Sequence, residues 1–119
     1  PTKNNCVIEG AGGLLVPINE TCLMIDLIKK LRTPVLLVAR SGLGTLNHTL
    51  LSLEALRARA IEVLGVIMNG PPNPENKQAL EFYGLTRVLA EVPFLTAIHS
   101  QALQSVPLPP PLRQILMRD

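Results

Sequence analysis

The pattern of apolar and polar positions predicts an alternation of strands and helices along most of the chain. Four short, continuous apolar runs are typical of strands that are buried on both faces. They occupy residues 6–8, 34–39, 62–69 and 86–93. The segments between them show helical spacing or helix-capping signals. These segments are residues 20–32, 45–60 and 73–84. We therefore expect an α/β fold in which a parallel β-sheet is flanked by helices.

The pattern weakens after the fourth predicted strand. Residues 105–112, SVPLPPPL, contain four prolines and are expected to be extended. A stiff connector and a ligand for a polyproline-recognising domain are the two interpretations of this segment. Residues 111–119, PLRQILMRD, are interpreted as a last short helix.

Length and composition favour one packed domain over residues 1–119. Hydrophobic residues make up 47% of the chain but aromatic residues only 3%, so the core must be mainly aliphatic. Eleven basic and nine acidic residues give a net charge of +2 without a basic run, so nucleic acid is not an expected partner. No apolar run reaches the roughly 18 residues of a membrane span, so no membrane partner is expected either.

The two cysteines and the amino terminus bear on the cellular context. Cys6 and Cys22 lie in apolar stretches without metal-binding spacing, which favours reduced core thiols and a cytoplasmic protein. The polar start PTKNN resembles no signal peptide. It also lacks Met and leads at once into a predicted strand, which suggests a fragment of a longer chain.

Residues suited to a ligand follow each predicted strand. In parallel sheets with flanking helices, ligands bind beyond the carboxyl ends of the strands. The four strand ends are EGAGG at 9–13, RSGLG at 40–44, MNGPP at 68–72 and EVP at 91–93. We therefore expect Glu9, Gly44 and Asn69 to lie at one edge of the sheet.

Each of these strand ends also has a purely structural interpretation. Glycines after strands can serve tight turns, and Asn69–Gly70 is a common turn dipeptide. Thr45 or Asn47 can cap a helix. The occurrence of all four segments at one edge favours a ligand site over these alternatives.

Glu9 combines a carboxylate with three neighbouring glycines. Such a carboxylate can hold Mg²⁺ while glycine amides approach phosphate oxygens closely. The alternative is a solvated side chain that merely ends a strand.

Four blocks together resemble the dethiobiotin synthetase family, the ATP-dependent enzymes of biotin synthesis. They are VIEGAGGLLVPI, PVLLVARSGLGTLNHTLLSLEAL, GVIMNG and AEVPFL. EGAGG alone is shared with related amidoligase and P-loop proteins, whereas GLGTLNHTLLSLEAL is more specific. The blocks are similar to the carboxyl-terminal half of the family, which implies a partial P-loop NTPase-like fold that lacks the P-loop half.

The resemblance implies roles for particular residues. Nucleotide-binding residues would be Glu9, Gly10, Ala11, Gly12, Asn69, Gly70, Pro93, Phe94 and Leu95. Glu9 would also bind Mg²⁺. Gly44, Thr45 and Asn47 would reach across a homodimer interface to diaminopelargonate (7,8-diaminononanoate) in the other subunit, and Val16 and Pro17 would lie near that substrate.

The implied reaction is a cyclo-ligation. CO₂ forms a carbamate on one substrate amine, ATP phosphorylates the carbamate, and the second amine closes the ureido ring with loss of phosphate. The protein would contribute mainly alignment and charge neutralisation.

Parts of the family pattern are absent. No GxxxxGK[ST] string occurs, and none of the four lysines follows a glycine-rich loop. The family's catalytic lysine and second metal-binding Asp have no match, and Ser100 stands where the family has an acidic residue near the ribose. We therefore expect one part of the enzyme, completed by an amino-terminal half and inactive alone.

The alternatives are a non-catalytic nucleotide-binding or regulatory module and, third, a purely structural half-domain. A sheet without its first strands would expose an apolar edge. The isolated chain is therefore expected to dimerise, to need a partner segment or to be poorly soluble.

Overall fold

The computed structural model describes residues 6–117, which divide after Thr33 into two compact units. The interpretation of residues 1–119 as a single domain stays a prediction. The last two residues of the predicted final helix, 118 and 119, lie outside the described residues.

The first unit consists of a small hairpin followed by a helix. Its elements are β1 (Pro17–Asn19), β2 (Cys22–Leu23) and α1 (Met24–Leu31), with β1 and β2 antiparallel. The Asn19 side chain closes the hairpin turn by accepting a hydrogen bond from the Thr21 amide at 3.0 Å. The Asp26 carboxylate accepts a hydrogen bond from the Leu23 amide at 2.9 Å, which fixes the start of α1.

Two sequence-based predictions in this unit are wrong. Residues 6–8 have irregular backbone rather than a strand, and the side chains of Val7 and Ile8 are 85% and 62% exposed. A strand requires a paired neighbour for its backbone groups, and β1 and β2 are the paired strands within residues 6–33. The helix begins at Met24 rather than at residue 20, because residues 20–23 complete the hairpin.

The second unit contains a three-stranded parallel sheet. Its elements are β3 (Val35–Arg40), α2 (Thr45–Arg57), β4 (Val63–Asn69), α3 (Pro74–Gly84), β5 (Val88–Val92), α4 (Ser100–Gln104) and α5 (Pro110–Leu116). The strand order is β3–β4–β5, with both pairs parallel. The predicted α/β fold class, a parallel sheet flanked by helices, is confirmed.

The core of this unit lies on both faces of the sheet and is aliphatic, as predicted. Val66 and Met68 of β4 pack with Leu80 of α3 on one face. Ile67, which points to the other face, belongs to a cluster that includes Leu112 of α5. Alternate residues of one strand therefore serve two separate packing layers.

The carboxyl-terminal region contains one helix that the pattern did not predict. This helix, α4, is capped by the His99 imidazole, whose Nδ1 accepts a hydrogen bond from the Ala102 amide at 3.1 Å. Residues 107–109 have no regular structure, whereas Pro110 opens α5, where proline suits the first turn. The extended segment is therefore shorter than predicted.

The predicted core position of the cysteines is wrong. Cys6 is exposed and Cys22 is half-buried, and neither forms a disulfide. Within residues 6–117, no helix combines the length and the apolar character that crossing a membrane requires.

Candidate functional site

The carboxyl ends of the three parallel strands meet at one edge of the second unit. Arg40 is in register with Asn69, and Asn69 with Val92. The hydrogen-bond ladder continues past the strands, since the Ser41 amide donates to the Asn69 carbonyl at 3.0 Å and the Gly70 amide donates to the Val92 carbonyl at 2.8 Å. The segments that follow β3, β4 and β5 therefore begin side by side, as the sequence predicted.

Asn69, Gly70 and Phe94 are brought together at this edge. Gly70 has φ +133°, and a Cβ atom there would collide with the Ser41 hydroxyl and lie 3.6 Å from Phe94 Cζ. The Phe94 side chain is 72% exposed, and Asn69 is also exposed. The Asn69 carboxamide makes no hydrogen bond within residues 34–117, so its donor and its acceptor are both available to a ligand.

Pro93 and Leu95 flank Phe94 in the chain. Pro93 is exposed and Leu95 is half-buried. The segment 93–95 therefore offers one aromatic face and two apolar neighbours to a flat ligand, with the ring of Phe94 near Gly70.

The loop after β3 leads to the start of α2 without a side-chain cap. Gly44 occupies the N-cap position with φ +89°, which glycine adopts readily. The Thr45 hydroxyl is buried and lies 3.3 Å from the Thr49 hydroxyl, and Asn47 is exposed. The interpretation of Thr45 or Asn47 as the helix cap is therefore wrong. The uncapped amides at this helix start suit an anionic group.

The glycine-rich loop at residues 9–13 belongs to the first unit. Gly12 and Gly13 have φ values of +87° and +123°, so both take a conformation that favours glycine. A Cβ atom at Gly10 would lie 3.1 Å from Met24 Sδ. The Glu9 carboxylate is exposed and makes no hydrogen bond or ion pair within residues 6–33.

The other predicted residues of the first unit also face solvent. Ala11, Val16 and Pro17 are exposed, and the Val16 carbonyl accepts a hydrogen bond from the Met24 amide at 2.9 Å. The roles of these residues and of Glu9 in a site shared with Asn69 stay predictions.

The Glu9 carboxylate is a suitable ligand for Mg²⁺, but it could not hold a metal that needs several protein ligands. Residues 6–117 contain no group of three or more His, Cys, Asp and Glu side chains that could hold a metal. Magnesium usually takes one or two carboxylates and completes its shell with water and substrate phosphates. One available carboxylate beside a glycine-rich loop fits that requirement.

Side chains of α3 that sequence reasoning missed support the same edge. Asn76 Nδ2 donates to the Ser41 carbonyl at 2.9 Å, and Lys77 Nζ forms an ion pair with Glu91 Oε2 at 3.0 Å. The Asn73–Pro74 pair signals a helix start in the sequence, and Asn73 does cap α3. Nothing local indicates that Asn76 contacts a residue 35 positions earlier.

A groove of about 580 Å³ lies elsewhere, between α2 and α3. Its lining residues are Leu50, Leu53, Glu54, Arg57, Ala58, Tyr83 and Gly84. Several of them end their helices, and a helix that connects parallel strands runs back toward the amino ends of the strands. The groove is therefore separate from the candidate site at the carboxyl edge.

Comparisons with known proteins add independent information. A family model described as an AAA domain matches residues 1–102. The ATP-dependent dethiobiotin synthetase BioD of Lawsonia intracellularis is 52% identical over 117 residues, covering 98% of this chain and 58% of that protein. The ATP-dependent dethiobiotin synthetase BioD of Paramagnetospirillum magneticum is 54% identical over 108 residues, covering 91% of this chain and 53% of that protein.

A fused relative matches as well. The biotin biosynthesis bifunctional protein BioCD of Bordetella avium is 62% identical over 97 residues, covering 82% of this chain and 21% of that protein. The chain thus spans about half the length of the dethiobiotin synthetases that it matches.

Proposed function

Because the chain belongs to the AAA domain family and its resemblance to dethiobiotin synthetase is confirmed by these relatives, we propose that it is part of an ATP-dependent dethiobiotin synthase. It would form the carboxyl-terminal portion of that enzyme, a ligase of biotin biosynthesis in the cytoplasm. A segment with a GxxxxGK[ST] motif would complete the phosphate site, since this chain has no such motif.

The observation that carries this proposal is the alignment of the strand ends at Arg40, Asn69 and Val92. The same edge holds the available carboxamide of Asn69 and, against the next residue, Gly70, the exposed ring of Phe94. An amide presents one donor and one acceptor, which match the edge of adenine, while the ring offers a surface for stacking. ATP is therefore the nucleotide that we propose for this edge.

The loop after β3 is proposed to contact the second substrate. Diaminopelargonate carries a carboxylate, and the start of α2 suits an anion because no side chain caps the helix at Gly44. Asn47 adds an exposed polar side chain one turn along the helix. In a homodimer these residues would serve the substrate of the partner subunit, with Val16 and Pro17 near the same molecule.

The proposed reaction needs little covalent participation from this chain. A substrate amine and CO₂ form a carbamate, whose oxygen attacks the γ-phosphorus of ATP and releases ADP. The second amine then attacks the carbamate carbon and displaces phosphate, which closes the ureido ring. The residues of this chain would bind and orient the two substrates.

Bound Mg²⁺ would offset the charge of the phosphates, and Glu9 is the residue of this chain that we propose to hold it. The lack of side chains at Gly10, Gly12 and Gly13 would let backbone amides approach the phosphate oxygens.

A chimera tests the proposal. In the Lawsonia intracellularis dethiobiotin synthetase, the matching region would be replaced by this chain, with the unaltered relative as control. We expect the chimera to form dethiobiotin from diaminopelargonate, CO₂ and ATP. A folded chimera that binds ATP without turnover would favour a non-catalytic nucleotide-binding module, and one that does not bind ATP would contradict both interpretations.

A further inference from the structure

We propose that Asn76 is a positioning residue that joins the loop after β3 to the segment after β4. The inference about ligands rests on the proposed function, in which Asn69–Gly70 contacts the nucleotide and Gly44–Thr45 contacts the second substrate. The link itself is a property of the second unit and stands on its contacts alone.

The first part of the link is the fixed orientation of Asn76. The backbone amide of Asn76 donates to Asn73 Oδ1 at 3.0 Å, which holds the first turn of α3. From that turn, Asn76 Nδ2 donates to the Ser41 carbonyl at 2.9 Å. Asn76 therefore connects the start of a helix to the end of a strand that precedes it by a whole βαβ unit.

The second part is Ser41, which is held at three points. Its carbonyl accepts from Asn76, and its amide donates to the Asn69 carbonyl at 3.0 Å. Its side chain is only 4% exposed and lies against Gly70, where a Cβ atom would collide with the hydroxyl. A displacement of Ser41 therefore moves both neighbouring segments.

The loop beyond Ser41 is short and is closed onto the start of α2 by a hydrogen bond from the Thr45 amide to the Gly42 carbonyl at 3.2 Å. A Cβ atom at Gly42 would meet nothing within 4 Å, and the Leu43 side chain is fully exposed. Because this loop joins Ser41 directly to Gly44, the position of Ser41 influences where α2 begins. Through Ser41, Asn76 aligns Asn69–Gly70, the proposed nucleotide contact, with Gly44–Thr45, the proposed contact of the second substrate.

The substitution Asn76→Asp tests the link, because aspartate keeps the shape but replaces the donor with a carboxylate oxygen. That oxygen would face the Ser41 carbonyl oxygen and repel it. The matched control is Gln78→Ala, because Gln78 is an exposed residue on the same helix. Amide hydrogen exchange by NMR reports the outcome, with the Val66 amide, which donates to Arg87 O within the sheet, as internal reference.

In Asn76→Asp we expect the Ser41 amide to exchange about tenfold faster relative to Val66, the effect of losing the part-buried hydrogen bond from Asn76 to the Ser41 carbonyl. Gln78→Ala should leave this ratio unchanged. If Asn76→Asp changed the exchange rates of the Ser41 and Val66 amides equally, or changed neither, the link would be overturned. If the variant does not fold, the unmodified chain decides, since a scalar coupling across the hydrogen bond from Asn76 Nδ2 to the Ser41 carbonyl must be detectable.

A titration with ATP separates the link from the proposed function. In the unmodified chain, ATP should shift the amide signals of Asn69 and Gly70 and also those of Gly42 and Gly44. In Asn76→Asp the shifts at Gly42 and Gly44 should disappear. Persistence of those shifts, or their absence from the unmodified chain, would overturn the coupling. Absence of every shift would contradict the nucleotide site, while the exchange ratio would still decide the link.

Discussion

Gly70 is the residue whose backbone is least replaceable at the candidate site. Its φ of +133° is disfavoured for L-residues, and the space for a Cβ atom is filled by the Ser41 hydroxyl. Gly70→Ala should therefore lower the free energy of unfolding by about 1–3 kcal/mol, the cost of one strained residue. Urea denaturation followed by circular dichroism measures this change.

The control for Gly70 is Gly42, because a Cβ atom there would lie in open space. Gly42→Ala should change the unfolding free energy by no more than about 0.5 kcal/mol. Equal effects at both positions would contradict the role assigned to the contact between Gly70 and Ser41.

Glu9 carries the second prediction at the scale of single residues. In the chimera, Glu9→Gln should raise the Mg²⁺ concentration for half-maximal activity by at least about tenfold, because even supporting residues around metals cost that much. Assays of dethiobiotin formation across a Mg²⁺ series measure the shift. Glu20→Gln, in an exposed hairpin turn of the same unit, should leave it unchanged. Equal activity profiles for the two variants would exclude Glu9 as a metal ligand.

The residues of the candidate site differ in how far the sequence could predict them. Asn69 follows a long apolar run, so its place at the carboxyl edge could be inferred from the strand alone. Ser41 and Asn76 carry no comparable signal, because their hydrogen bond joins residues 35 positions apart and depends on the tertiary structure. Gly44 was correctly placed before a helix, but its role as an N-cap emerged only with the buried pairing of Thr45 and Thr49.

At the scale of elements, one arginine adds hydrogen bonds to the packing of α2 against α3. Arg57 Nη2 donates to the carbonyls of Gly84 and Leu85, at the end of α3. These carbonyls have no partner inside their own helix, so a guanidinium group there also complements the helix dipole. Arg57 therefore joins the carboxyl ends of the two helices.

Arg57→Ala should lower the free energy of unfolding by about 1.5–3 kcal/mol, as expected for hydrogen bonds to a charged group. Arg59→Ala is the control, since the Arg59 side chain donates to the Ala55 carbonyl four residues earlier, at 3.2 Å, and not to α3. Thermal and urea denaturation of both variants measure the difference. A loss at Arg59 as large as that at Arg57 would contradict the bridging role.

The helices and strands were predicted best where the sequence pattern of apolar and polar residues is enough to determine the element. The three strands of the second unit and helices α2 and α3 agree with the prediction to within a few residues. Residues 6–8 failed because an apolar run shows only that a strand would be suitable, whereas a strand also requires a neighbour. Residues 20–23 failed because side-chain hydrogen bonds of Asn19 and Asp26 favour a turn over an earlier helix start.

At the scale of the whole molecule, the sheet of the second unit is small for its fold class. Within the described residues it has three strands, so β3 and β5 are both edge strands. Val38 of β3 is 64% exposed, although its register partner Ile67 belongs to a core cluster. The apolar pattern correctly indicated strands suited to burial on both faces, but it could not show which neighbours would cover them.

Val38 therefore tests the expected association of the isolated chain. An exposed apolar residue on an edge strand favours pairing with another molecule, and a lysine there opposes it. Val38→Lys should lower the average mass measured by sedimentation at high protein concentration, while the unfolding free energy changes by no more than about 0.5 kcal/mol. Leu103→Lys, at an exposed apolar position on α4, controls for the added charge. If both variants reduced association equally, net charge would explain the effect; if only Val38→Lys did so, the uncovered face of β3 would be its source.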